Sequence, residues 1–195
     1  FFPDKANLKR PQWYVDHGLD IKAPQLCNEI ILHSGPDYTY TCVLASMNLM
    51  FYDDWKDTDA VFQAIVFLDC VVQEFLERGK NIPGLEKAIA ATKKGRALGL
   101  GVCGLHTLFQ KKRLPFGGLE AHMLNNTIFK NIRSEAERAT KWLAEQWGEP
   151  DWCKGYNRAN THLLAVAPTK STALIMGGVS EGINPDTAMV YTQRT

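Results

Sequence analysis

Val61, Ile65, Leu68, Val72 and Phe75 recur at the three- and four-residue spacing that places them on one face of a helix. That stripe commits the residues between Asp57 and Gly79 to an amphipathic helix. Such a helix must lie against a core, because isolated helices are marginal in water. Asp57 is the expected N-cap and Gly79 the expected stop. A longer periodic run predicts a helix over about 119–147, with Met123, Phe129, Ile132, Ala136, Ala139 and Leu143 toward the core. Between the two, a further helix is expected from near Pro83 toward Phe109, interrupted by glycines. Ahead of this helical middle, residues 26–32 and 40–51 read as short extended pieces. The turn-rich His33-Ser34-Gly35-Pro36-Asp37 separates them. Past Pro150 the chain is irregular, then shows an apolar run over 163–167 and a finish rich in Gly and Ser. Long helices between short buried strands indicate an α/β layer structure. The chain reads as a single piece with three parts, 1–53, 54–150 and 151–195.

With Lys and Arg numbering 22 against 21 Asp and Glu, the charge is nearly balanced. No basic surface therefore advertises DNA binding. No stretch is long and apolar enough to span a membrane, and no signal peptide opens the chain. The five cysteines, Cys27, Cys42, Cys70, Cys103 and Cys153, are odd in number and lack C-x-x-C spacing. That argues against a secreted disulfide framework and a zinc ribbon, and fits a reducing cytoplasm. The histidines His17, His33, His106, His122 and His162 show no ligand-like spacing, so no metal site is inferred. The five tryptophans read as core or interface anchors, since no basic stripe accompanies them.

Three segments carry chemistry. In Gln25-Leu26-Cys27-Asn28-Glu29, an extended backbone would turn Gln25, Cys27 and Glu29 to one side. Thiol and carboxylate would then stand about 7 Å apart, with Asn28 facing the other way. Taken by itself the pattern equally describes a thiol used as core filler beside a solvent-facing acid. The second segment is an apolar run around Cys42, whose bland reading is a strand residue. The third is Pro168-Thr169-Lys170-Ser171-Thr172. Small hydroxyl residues after a proline, opening a helix, offer N–H groups and hydroxyls to an anion such as a diphosphate. A plain Ser/Thr cap without ligand is the alternative. Gly99-x-Gly101-x-x-Gly104 spells a dinucleotide fingerprint, but it follows a charged helical stretch instead of an apolar strand. Its glycines are better read as allowing a helix to pack closely. Cys103 and Cys70 are expected in the core, and Cys153 in a loop without a partner.

In this order, the lead-in over 7–14, the Cys27 and Cys42 segments, Gly99-Leu100-Gly101-Val102-Cys103-Gly104-Leu105-His106-Thr107-Leu108 and Asn160-Thr161-His162-Leu163-Leu164-Ala165-Val166-Ala167-Pro168-Thr169 resemble one family. It is the catalytic (large, alpha) subunit of class I ribonucleotide reductase. The likeness runs nearly end to end, although that subunit is several times longer. It implies part of a helix-rich, ten-stranded α/β barrel, present as a fragment or split-gene piece. It further implies thiyl-radical reduction of ribonucleoside diphosphates to 2′-deoxyribonucleotides, with the radical on Cys27 and Glu29 as general base. Gln25, where the family usually has Asn, becomes a substrate contact. Cys42 becomes one thiol of a redox pair whose partner lies upstream, and a Cys27–Cys42 disulfide is rejected as the working state because it would consume the radical thiol. Residues 168–172 become the substrate phosphate turn. The chain itself would hold no cofactor. A metal-containing small subunit would supply the radical through a tyrosine relay, and thioredoxin or glutaredoxin the external dithiol. Remaining segments of the large subunit would be further partners, with the allosteric loops outside these residues. Two alternatives stay open: a non-catalytic nucleotide-binding or assembly piece, and a cobalamin-dependent class II enzyme. The latter typically flanks its radical Cys with Pro and Gly, where this chain has Leu26 and Asn28.

Overall fold

The computed structural model describes residues 1–41, 43–188 and 190; Cys42 lies outside the described residues. The chain enters through two short helices, α1 (Pro3–Leu8) and α2 (Gln12–Asp16). The Asn7 side chain pins this start to the following loop, donating to the Ile21 carbonyl and accepting the Ile21 N–H, both at 2.8 Å. Strand β1 (Val43–Asn48) follows and runs through a 3₁₀ turn into α3 (Tyr52–Trp55) and α4 (Ala60–Gly79). Next come α5 (Glu86–Gly95), β2 (Leu98–Cys103), α6 (Leu105–Lys111), α7 (Leu119–Trp147) and α8 (Lys170–Ile175).

The strands pair in parallel, from Val43 opposite Leu98 to Asn48 opposite Cys103. Parallel strands need a crossover of a dozen residues or more, and α4 with α5 supplies it. Residues 162–165 add a third parallel rung on the far side of β2. Leu98 N–H donates to the His162 carbonyl, Leu100 N–H to that of Leu163, and Ala165 N–H to that of Leu100, at 2.8–3.1 Å.

The helical stripe of α4 is buried as its spacing requires, with Val61, Ile65, Leu68 and Val72 in the core beside α7 and both strands. The helix opens later than Asp57: Asp59 holds the N-cap position, and Asp57 pairs with Lys56. Cys70 is exposed, since it lies off the 61–65–68–72 stripe. Helix α7 spans the predicted residues and buries Ile128, Ile132, Ala136, Ala139 and Leu143. Met123 is 61% exposed, because two residues beyond the buried Ala121 is about 200° around the helix.

The single helix expected over 83–109 is instead helix, strand, helix. Its glycines serve close packing, as expected, but inside a strand. A Cβ on Gly99 would lie 2.4 Å from Leu44 Cδ2 and 3.0 Å from Ala165 Cβ; one on Gly101 would lie 2.1 Å from the Ala165 carbonyl oxygen. Bare backbone at alternate positions lets β2 lie against its neighbours on both sides. Arg96 makes the turn into β2 in the left-handed conformation, φ 43°. Its guanidinium is locked to Asp69 of α4 by Nε–H to Oδ1 at 2.9 Å and Nη2–H to Oδ2 at 2.7 Å. Asn160 donates to Asp69 Oδ1 at 2.8 Å and accepts from Thr140 of α7 at 2.8 Å. One buried network thus ties α4, the entry to β2, α7 and the 162–165 rung.

Cys103 is fully buried, its thiol pushed up by desolvation and set 3.7 Å from Met176 Sδ. Cys153 is buried too, in a 3₁₀ turn, and burial pushes its thiol up to about 12. Trp152 packs edge-on against Tyr14 and Tyr38 as a core anchor, whereas Trp147 is exposed. The segment after α8 is strapped over α6. Ser180 N–H donates to Thr107 Oγ1 at 2.8 Å, and Thr107 N–H returns a bond to Ser180 Oγ at 3.2 Å.

Candidate functional site

The chain approaches the sheet through 25–32. Residues 26–32 form no regular strand. Asn28 N–H donates to the Gln25 carbonyl at 3.2 Å, closing a turn, and Asn28 itself is left-handed at φ 57°. This corrects the expected extended pairing of Cys27 with Glu29. Asn tolerates the left-handed region better than most residues, and a turn through it breaks the alternation on which the pairing depended. Cys27 is an exposed free thiol at the turn. The chain then anchors itself by Ile30 and Leu32, which are buried against Ala165.

Glu29 borders a half-open cavity of about 440 Å³, shared with Asn28, Gly101 and Val102 of β2, and Leu164 to Val166 of the third rung. Phe129 and Ile132 of α7 complete the wall. Asn28, expected to face away as a structural residue, therefore lies on the cavity beside Glu29. Glu29 Oε2 is shielded from solvent and has no hydrogen-bond partner. Both polar ends of the Gln25 amide, Oε1 and Nε2, are in the same condition. A solvent-shielded polar atom without a partner costs about 1–3 kcal/mol, more when charged. Three such atoms within five residues mark a place suited to a polar ligand. Of the expected site residues on this segment Glu29 lines the cavity, whereas Cys27 and Gln25 do not; Gln25 shares with Glu29 only its shielded, unpartnered polar atoms.

The third rung leads from the cavity into the hydroxyl-rich turn, since Val166 on the cavity wall precedes Pro168 by two positions. Thr169 holds the N-cap position of α8 in the left-handed conformation, φ 56°, costly for a β-branched residue. Its hydroxyl makes no cap bond within the helix; Oγ1 accepts the Gly182 N–H at 2.8 Å. Pro168, Lys170, Ser171 and Thr172 are exposed. As in other parallel sheets, the turn lies beyond the carboxyl end of its strand-like segment, where such folds bind ligands. Cys42, the remaining expected site residue, directly precedes β1 in sequence and is outside the described residues.

Sequence reasoning missed Asn28 and the backbone around Gly101 and Ala165 as cavity wall. The available signal was the alternation of Gly99 and Gly101, which in a strand marks a close approach. Among the described residues no group of three or more His, Cys, Asp or Glu side chains could hold a metal ion, and no helix is long and apolar enough to cross a membrane.

The family model of the ribonucleotide reductase barrel domain matches residues 1–159 and 151–195. A Frog virus 3 (isolate Goorha) protein, provisionally named a ribonucleoside-diphosphate reductase large subunit, is 40% identical over 195 residues, 100% of this chain and 34% of that one. The ribonucleoside-diphosphate reductase large subunit of Invertebrate iridescent virus 3 is 34% identical over 193 residues, 98% of this chain and 30% of that one. The solved Actinobacillus ureae class Id ribonucleotide reductase alpha subunit superposes with a TM-score of 0.92 at 43% identity, over 95% of this chain and 36% of that chain. The chain thus spans about a third of the length of these relatives. By sequence and by fold, it belongs to the ribonucleotide reductase family and forms part of that family's barrel domain.

Proposed function

We propose that this chain is the part of a ribonucleoside-diphosphate reductase large subunit that holds the ribose and its phosphates during 2′-deoxygenation. The observation that carries the reading is the unpartnered, solvent-shielded Oε2 of Glu29 at a cavity whose wall residue Val166 lies two positions before the hydroxyl-rich turn. A carboxylate so placed is a proton acceptor without a competing donor, which is what a ribose 3′-hydroxyl would meet.

In this reading a thiyl on Cys27 takes the hydrogen atom from C3′, while Glu29 takes the 3′-hydroxyl proton. The 2′-oxygen then leaves as water, with its second proton from a thiol. Cys42 and a second thiol supply the two electrons and the hydrogen added at C2′ as they close to a disulfide, Glu29 returns its proton to the 3′-oxygen, and Cys27 returns its hydrogen atom to C3′. An external dithiol of the thioredoxin or glutaredoxin kind reopens the disulfide. The radical is delivered by a metal-containing small subunit. Gln25 offers both a donor and an acceptor to the sugar. Thr169, Ser171 and Thr172, with the first-turn N–H groups of α8, receive the phosphates, and the exposed Lys170 adds a cation nearby.

The test is reconstitution with the remaining polypeptide, the small subunit and a dithiol, comparing wild type with Cys27→Ser. Ser keeps the size of the side chain but cannot form the thiyl. Turnover of a ribonucleoside diphosphate is expected in wild type and absent in the variant. Turnover that survives the substitution would remove Cys27 from the radical role.

A further inference from the structure

Asn48 ends β1 where three elements meet. Its Oδ1 accepts the Met50 N–H at 3.0 Å, its Nδ2 donates to the Met176 carbonyl at 3.2 Å, and its own carbonyl accepts Trp55 Nε1–H at 3.1 Å. A donor faces one end of the amide and an acceptor the other, so its orientation is fixed. Gly104, which opens α6 at φ 79°, approaches so closely that a Cβ there would stand 3.1 Å from Asn48 Oδ1. Met176, on the other side, ends α8.

That helix has little else to hold it. It buries Ala173 alone, and leaves Leu174 and Ile175 46% and 86% exposed. Apolar burial scales with area, so it contributes little to fixing where this helix points. The anchors are the Thr169–Gly182 bond at the front, the Cys103–Met176 sulfur contact and the Asn48 bond at the back.

We propose that Asn48 is a positioning residue for the hydroxyl-rich turn: by gripping the Met176 carbonyl it sets the axis of α8, and thereby the aim of Ser171 and Thr172 at an anionic group of the substrate. The inference rests on reading that turn as the phosphate site. It adds a role for a strand residue that touches no substrate.

Two variants separate the possibilities in the assembled enzyme. Asn48→Asp keeps an acceptor for Met50 and sets a carboxylate oxygen, in place of the donor, against the Met176 carbonyl; Asn48→Ala removes both bonds. If Asn48→Ala fails to fold, Asn48→Asp carries the test. For Asn48→Asp, amide hydrogen exchange over 170–179 should rise about ten-fold, the equivalent of one lost hydrogen bond, while exchange over 43–48 and 98–103 stays at the wild-type rate. The KM for a ribonucleoside diphosphate should rise about five- to ten-fold with kcat nearly unchanged. Unaltered exchange over 170–179 overturns the proposal, as does a fall in kcat with KM unmoved. Faster exchange with an unmoved KM shows that Asn48 holds α8 but refutes the phosphate reading of the turn, and the proposal falls with it.

Discussion

Gly101 lies so close to Ala165 that the two backbones share the space a single methyl group would need: a Cβ on Gly101 would come within 2.1 Å of the Ala165 carbonyl oxygen. The obstacle is backbone, which cannot swing aside. Gly101→Ala should therefore cost about 3 kcal/mol, the upper end for an overpacked core, and should also narrow the cavity that Glu29 borders. Gly117→Ala is the control, because a Cβ there meets nothing within 4 Å and its backbone is not left-handed. That change should stay within about 0.5 kcal/mol of wild type. Urea denaturation of both variants checks the pair.

Glu29→Gln retains size and hydrogen-bonding capacity but cannot accept a proton at neutral pH. In the reconstituted enzyme we expect turnover to fall by about 100-fold or more, with nucleotide affinity largely kept. Turnover and equilibrium binding must both be measured, because a matching loss in each would make Glu29 a binding residue only.

Ser171 is exposed and α8 buries little, so Ser171→Ala should leave the melting temperature unchanged. Under the proposed role it should weaken ribonucleoside diphosphate binding by about five- to ten-fold, the range of one lost hydrogen bond. Equal affinity in titration calorimetry would remove the hydroxyl from the phosphate contact.

Asp69→Ala removes the carboxylate that Arg96 and Asn160 share. Removing one member of a buried, hydrogen-bonded ion pair costs about 3–5 kcal/mol. The loss should appear as a lower denaturation midpoint.

Desolvation brings His162 down from its ordinary value to about 4, and its Nδ1 is shielded without a partner. An unfolded chain protonates this ring near pH 6.5, so below that pH the unfolded state binds the extra proton and folding stability drops. The contribution is complete above about pH 6.5, falls as pH descends toward about 4, and then levels off. With the ring only half-buried, the change should be about 1–3 kcal/mol. Comparing unfolding of wild type and His162→Gln between these limits isolates it: the variant should lack that part of the acid sensitivity.

The helices were legible wherever a single face meets the core. Val61, Ile65, Leu68 and Val72 in α4, and Ile132, Ala136, Ala139 and Leu143 in α7, declare themselves by period alone. Strand β2 did not, because its pattern LGLGVC is buried on both faces and has no alternation of polar and apolar residues to reveal it. What places it is a contact with Ala165, more than sixty residues away in sequence. At the site, Gln25 and Glu29 were visible as residue types, but the turn at Asn28 was not, since its left-handed backbone is a local choice that an extended reading overrides. Asn48 gave no signal at all, as its partners are a main-chain carbonyl at Met176 and an N–H at Met50. Main-chain partners carry no side-chain identity to read.

Among the described residues β1 has β2 as its one strand partner, and Leu44 on this strand stays 40% exposed. A strand edge without a partner strand, beside an apolar side chain, is a template on which an extended peptide can pair. Prepared in isolation, the polypeptide would therefore be prone to stacking on itself, and its solubility would improve on co-production with a sequence able to lie along that edge.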